Sequence, residues 1–441
     1  MKKLIALTLV IVTCFSLFSC ARIIEWQLDK NAIAFAAEKK ELTSEIRNSD
    51  EYKAFLQKLE VFSAQLTAEM TQKYGKDDNF VISPISIYMG LALAIECATG
   101  DTRQEILDAV GVTYEEVSKY TSGLYANANR EYIKRVATGN KKVVAYQTLN
   151  NSIWLDKDVK FVEEGVNKLA SNYNCDVFQT SFKSGEAEKL IEKYIENKTK
   201  GLIDADVDFS PETYFVLMNT YYLKEIWNEF GDSLDFTSER YNFKNTDGSS
   251  EDLRLLKSYY SNGKVYMGEK YSSFFVATEH GFKIYFFVPD DESRVSEVFT
   301  TENINAVLSM SDWGHVDDAN RQLHHTRVFF PEFDTDFDED ISGVLSEKFG
   351  IKRLFDPDAC EMSNISENDV YCQGFMHLVK LKVDKKGIEG ASIVYIPGAG
   401  SAAPPPYEKV YHDFIVDKAF GFVITDPYGT AVFSGVINEI D

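Results

Sequence analysis

Cysteine is scarce in this chain of 441 residues, with six in all and none in a C-x-x-C pair. That spacing speaks against a zinc or dithiol redox centre. Positive charge is short as well: 46 Lys and Arg stand against 69 Asp and Glu, a formal net charge of -23. Such a surface repels a phosphate backbone, which excludes nucleic acid as a partner. The N-terminal apolar run, Leu4–Phe18, stops at fifteen residues, short of the about 20 that a spanning helix needs. No G-x-S-x-G elbow, phosphate loop or H-E-x-x-H helix occurs, so the familiar hydrolase and nucleotide chemistries find no motif. Proline is rare too, and three of the ten prolines stand together at 404–406.

What is present points to a large core. Hydrophobic residues make up 44% and aromatics 13%, which argues against disorder. The N-terminus reads Met-Lys-Lys, then the apolar run, then Ser19-Cys20-Ala21. That is a charged region, a short apolar region and a small-residue cleavage site, so residues 1–19 are expected to be an export signal. Leu17-Phe18-Ser19-Cys20 resembles a bacterial lipobox, which makes Cys20 the expected lipidation site and membrane anchor. Plain cleavage after Ala21 is the other reading. Residues 20–50 are mixed and charged and are expected to act as a spacer. Cys97, Cys175, Cys360 and Cys372 are expected to be buried free thiols, although export permits disulfides.

From residue 51 onward a single large α+β domain is expected. Phe55, Leu59, Phe62, Leu66 and Met70 recur at helical spacing. Pro84 suits the first turn of a second helix, apolar nearly all round from Ile85 to Cys97 and therefore buried. Strand-like runs follow at Lys142–Tyr146, Phe274–Ala277, Lys283–Val288, Val328–Phe333, His377–Val383, Phe420–Thr425 and Ala431–Val436. Helical patterns at Glu186–Lys200 and Ile341–Phe349 lie between them. The absence of regular βαβ alternation favours α+β. No metal site is expected. His324 and His325 are adjacent, so on a strand they face opposite sides, and they read as a solvated pair. Asp334-x-Asp336-x-Asp338 lacks the glycine and the terminal glutamate of a calcium loop.

Asn79–Ile106 reads NFVISPISIYMGLALAIECATGDTRQEI. This resembles the serpin family, with its Ser-Pro-x-Ser, apolar helix and Gly-x-Thr turn. Asn151-Ser-Ile-Trp-Leu, Ile191–Ile203, VLMNTYYLKEIW at 216–227, Phe329-Phe-Pro-Glu-Phe, Leu345–Phe355 and Phe420–Val436 agree in order. The resemblance covers 51–441. It implies a large central mixed sheet with two further sheets, about nine helices and an exposed reactive-centre loop near 387–408. It implies no enzyme and no cofactor. The expected activity is that of a suicide substrate for a serine protease. The protease cleaves the loop and forms an acyl-enzyme, and the loop then inserts into the sheet as a new strand. The alternative is a non-inhibitory serpin that binds a partner or is merely cleaved.

The loop can be tested against insertion, because an inserted strand alternates its side chains between two faces. From Gly387, the set Ile388, Gly390, Ser392, Val394 and Ile396 is apolar or small and suits a core. The set with Glu389, Ala391, Ile393 and Tyr395 suits the outer face. Gly387, Ile388, Glu389, Gly390 and Ala391 are the expected hinge. Relatives favour Thr or Ser at the position of Ile388 and Ala near Gly390. A strand Gly costs roughly 0.5–1 kcal/mol, and an oversized buried Ile about 1–3 kcal/mol. Family spacing places the scissile bond at Ser401-Ala402, within 398–403. Small side chains there suit an elastase-like protease, with a broad-pocket cysteine protease or an untargeted linker as other readings. The inhibitor is expected to be a monomer. The resemblance also implies a sheet-opening polar cluster of Ser83, Ser86, Asn219 and His377. A second cluster at the sheet top holds Trp227, Glu332 and Lys385, in which Lys385 and Glu332 are expected to form a sign-reversed ion pair.

Overall fold

The computed structural model describes residues 28–37, 41–135, 141–227, 234–261, 265–291, 293–310, 316–317, 322–388 and 408–440. Cys20, Glu389, Gly390, Ala391, Ser401 and Ala402 lie outside the described residues.

The fold is α+β, built on one large mixed sheet and two smaller ones. The large sheet runs, edge to edge, through strands Ala32–Ala34, Cys175–Thr180, Lys141–Asp156, Phe215–Ile226, Gly387–Ile388, Met376–Asp384 and Phe333–Asp340. A second sheet joins Tyr271–Ala277, Lys283–Pro289, Phe420–Thr425, Ala431–Ile437 and Phe80–Ile82 in that order. The third pairs Leu256–Ser261 with Gln322–Phe330, which also takes Glu408–Ile415 in parallel register. The chain segments before residue 389 and after residue 407 thus belong to two different sheets.

The helix Asp50–Tyr74 forms where the apolar spacing placed it. Ser49 caps it by accepting the amide of Tyr52 at 3.2 Å. Phe55, Leu59, Phe62, Leu66 and Met70 are all buried on one face. The helix Pro84–Cys97 starts at its proline and is buried at every residue, as a helix apolar on all sides must be. Its one acid, Glu96, is kept inside by the hydroxyls of Tyr114 and Tyr173, each 3.0 Å from Oε2. That is the pairing a buried carboxylate requires.

Some expectations need correction. Residues 20–50 are not all spacer: Ala32–Ala34 forms the outermost strand of the large sheet, antiparallel to Cys175–Thr180. The Ala37 amide donates to Ala170 O at 2.9 Å. The run Val328–Phe333 is two strands, because Pro331 has no amide for a ladder and the chain changes sheet there. His325 is buried, stacked between Tyr259 and Tyr411, so the expectation of a solvated pair fails for it. Asp334 and Asp336 lie on the exposed side of their strand, opposite Lys382 and Lys380. Cys97, Cys175 and Cys372 are buried free thiols and Cys360 is half-buried. Burial raises the thiol pKa of all four, which leaves them unreactive.

Candidate functional site

The site grows from the strand Met376–Asp384. His377, Val379, Leu381 and Val383 point inward and Met376, Lys380 and Lys382 outward, the period-two pattern of a half-buried strand. The chain then turns at Lys385 and Lys386 and re-enters the same sheet as Gly387–Ile388. Gly387 pairs with Asp384 on one side and Ile226 on the other, and Ile388 pairs with Val383 and Glu225. Two residues of a new central strand are therefore already seated.

Gly387 is required by its neighbours. Its φ is +153°, and a Cβ there would lie 1.9 Å from the carbonyl oxygen of Glu225. Ile388 is fully buried. Below these two residues the lips of the sheet separate. Among the described residues, no strand pairs with Phe215–Lys224 or Met376–Lys382 on the sides that face each other. A cavity of about 320 Å³ opens lower down, lined on those lips by Leu217, Asn219, Met376 and Leu378.

The turn above the gap is held by backbone contacts. Trp227 is fully buried, and its Nε1–H donates to Asp384 O at 2.7 Å. Glu332 Oε1 accepts the amide of Lys385 at 2.8 Å, and the amide of Leu234 donates to Lys385 O at 2.7 Å. The three expected sheet-top residues do come together, but not by the expected ion pair. Glu332 holds the Lys385 main chain, and the Lys385 side chain is exposed. The sequence suggested a charge partner because it shows residue types and not which amide a carboxylate reaches.

The polar cluster is split across the gap. Ser83 donates its amide to His377 Nε2 at 3.0 Å and its hydroxyl to Ser86 Oγ at 3.0 Å. Because Nε2 accepts, the ring proton sits on Nδ1, and burial holds the imidazole pKa down at about 3. Asn219 lies on the opposite lip, where its Nδ2 donates to Asn151 Oδ1 at 2.6 Å and Asn150 O at 3.3 Å. Its Oδ1 is buried with no partner among the described residues. Ile226 and Asp384 face each other across Gly387. Seven residues back along each lip, 226 − 7 = 219 and 384 − 7 = 377, so Asn219 and His377 stand level.

The buried neutral His377 predicts a pH dependence. In the unfolded chain the ring takes up a proton below pH 6.5, while in the fold it stays neutral until about pH 3. The unfolded state therefore binds more protons across that window, and stability falls as pH falls. Between pH 8 and pH 5.5 the loss from this group is about 1.4 kcal/mol. Urea midpoints of wild type and His377→Gln, which keeps an acceptor for Ser83, check it: the difference should close by that amount. An unchanged difference would assign the acid sensitivity elsewhere.

Asp384, Glu225 and His280 at the hinge were not singled out from the sequence, and Asp384 and His280 carry no signal there. Glu225 carried one signal, a charge on the strand face that otherwise holds Phe215, Leu217, Asn219, Tyr221 and Leu223.

Comparison with known proteins places this geometry. The family model described as Serpin (serine protease inhibitor) matches residues 57–440. This chain is a serpin. Its relatives include putative serpin-Z5 of Oryza sativa subsp. japonica, 26% identical over 395 residues, covering 81% of this chain and 84% of the relative. Alpha-1-antiproteinase of Rattus norvegicus is 24% identical over 382 residues, covering 85% and 87%. The crystal structure of tengpin, a thermophilic serpin in its native state, superposes with a TM-score of 0.69 at 19% identity, covering 94% of this chain and 98% of tengpin. In this serpin the seated hinge lies between the two central strands of the large sheet. Among the described residues no helix is long and apolar enough to cross a membrane.

Proposed function

We propose that this serpin is an inhibitor that traps serine proteases by loop cleavage, acyl-enzyme formation and insertion of the cleaved loop. The observation that carries this reading is the hinge. Gly387 and Ile388 already occupy the top of a gap whose two lips, among the described residues, take no further strand on their facing sides. Continuing the same register downward puts Glu389 opposite Lys224 and Lys382. Gly390 then meets Leu223 and Leu381, and Ser392 meets Tyr221 and Val379. Val394 arrives between Asn219 and His377. The charged loop residue meets two lysines, and the small and apolar ones meet buried positions. The inward set of the loop therefore matches the inward positions of the lips.

The small residues at 398–403 support an elastase-like target, with cleavage at Ser401-Ala402. The protease supplies its own serine chemistry, so the inhibitor contributes shape and stored conformational energy. The signal-like residues 1–19 and Cys20 support export and a lipid anchor at the cell envelope, where the inhibitor would shield surface proteins. Mixing with pancreatic elastase is expected to give an SDS-stable complex larger than either protein. Cleaved monomer alone would favour the substrate reading, for which the bulky, already buried Ile388 is the supporting observation.

A further inference from the structure

An acid that loop cleavage does not use lies beside the hinge. Glu225 is the cross-strand partner of Ile388. Its side chain has no solvent exposure. Oε1 lies 2.8 Å from His280 Nδ1 and accepts the amide of Ile226 at 2.8 Å. Oε2 is buried with no partner among the described residues. On the hinge side Glu225 meets Ile388 and, one strand further, Val383, both fully buried. His280 stacks on Tyr132 with ring centroids 4.2 Å apart and is 19% exposed, so solvent protons reach it. The charged and titratable groups around the pair are Glu279 in the same turn, Tyr132 and Arg130 on a strand that pairs with Lys141–Asp156, Tyr221, and Asp426 and Tyr428 on a hairpin. Arg130 is the one cation among them. Burial raises the Glu225 carboxyl pKa, and the His280 contact opposes that rise.

We propose that a proton held by the Glu225–His280 pair locks Gly387–Ile388 into the sheet, and that its loss releases the hinge. With the hinge seated, Ile388 closes one side of the carboxylate. A bare carboxylate beside a neutral imidazole, with one oxygen unpartnered, is costly in that dry setting. A shared proton removes the cost, whether the pair is then ionic or neutral. With the hinge withdrawn, water solvates the acid and the proton matters less. The seated state therefore binds the proton more tightly, and by linkage acid drives the hinge in while base lets it out. The inference rests on the observed seat of the hinge and does not require that the loop trap a protease.

Hydrogen exchange at the amides of Gly387 and Ile388 tests it, in the full chain from pH 6 to pH 8 and corrected for intrinsic rates. Protection in wild type is expected to fall about tenfold or more across that range, one factor of ten for each unit by which the pair's proton affinity differs between the two states. Glu225→Gln and His280→Gln should each flatten the slope, with thermal unfolding at pH 7 showing that both fold. Should Glu225→Gln fail to fold, His280→Gln carries the test. His377→Gln should leave the slope intact. Wild-type protection that is flat or rises with pH, or a slope retained in the folded Gln variants, overturns the proposal.

Discussion

Gly387→Ala is expected to abolish trapping while leaving the fold intact. The new methyl would sit 1.9 Å from the carbonyl oxygen of Glu225, with that of Ile226 Cα only 3.0 Å away. Both are main-chain atoms of a central strand, which cannot swing aside as a side chain would. The backbone at φ +153° adds strain for any residue with a Cβ, on the order of 1–3 kcal/mol. The cheapest response is to leave the hinge out, which exposes Ile388 and breaks the Gly387–Ile226 and Ile388–Glu225 pairing. Thermal stability then changes little, because only two residues leave the sheet. Insertion, however, must begin at these residues. The ratio of trapped to cleaved product with elastase should drop at least tenfold, read from one denaturing gel. A variant that traps as well as wild type would mean that the seat at Gly387 is not the starting point of insertion.

Cleavage within 398–403 should raise the unfolding temperature sharply, and one charge should decide whether it does. Continuing the hinge register adds up to ten residues, from Glu389 opposite Lys224 to Gly398 opposite Phe215. Each new backbone hydrogen bond contributes about 0.5–1.5 kcal/mol net, so the full strand is worth on the order of 10 kcal/mol. For a domain of this length that corresponds to roughly 10 °C or more. Ser392→Glu would place a carboxylate at the level of Tyr221 and Val379, both buried, and should cancel most of the gain. Ala391→Glu, one residue away on the opposite face and level with Tyr222 on one lip and the exposed Lys380 on the other, should keep most of it. Scanning calorimetry before and after elastase treatment separates the outcomes. Equal gains for the two variants would rule out the proposed register, and no gain in wild type would rule out insertion itself.

Much of this was legible in the sequence because it depends on periodicity. The helix through Phe55 and Met70, the buried helix after Pro84 and the alternating strand at His377–Val383 follow from apolar spacing. Gly387 was marked by its place in a family pattern, and the structure adds the reason, an approach of two main chains that leaves no room for a Cβ. What stayed hidden depends on which atoms meet across the fold. Glu332 and Lys385 have opposite charges, yet the carboxylate reaches an amide. His377 and Asn219 were grouped, yet they sit on opposite lips with different partners. Glu225 and His280 are 55 residues apart in sequence and meet because a turn of the second sheet folds against the central strand. Residues 32–34 are too few to show a strand period, and only pairing with Cys175–Thr180 makes them one.

That outermost strand also sets a leash. Ala32 is twelve residues beyond Cys20 (32 − 20 = 12), and twelve residues stretch to at most about 40 Å. A lipid on Cys20 would therefore hold the rim of the large sheet within that height of the bilayer, with the body unable to roam. Anchored so, an inhibitor would patrol a thin layer and would meet only enzymes that descend to the surface beneath it.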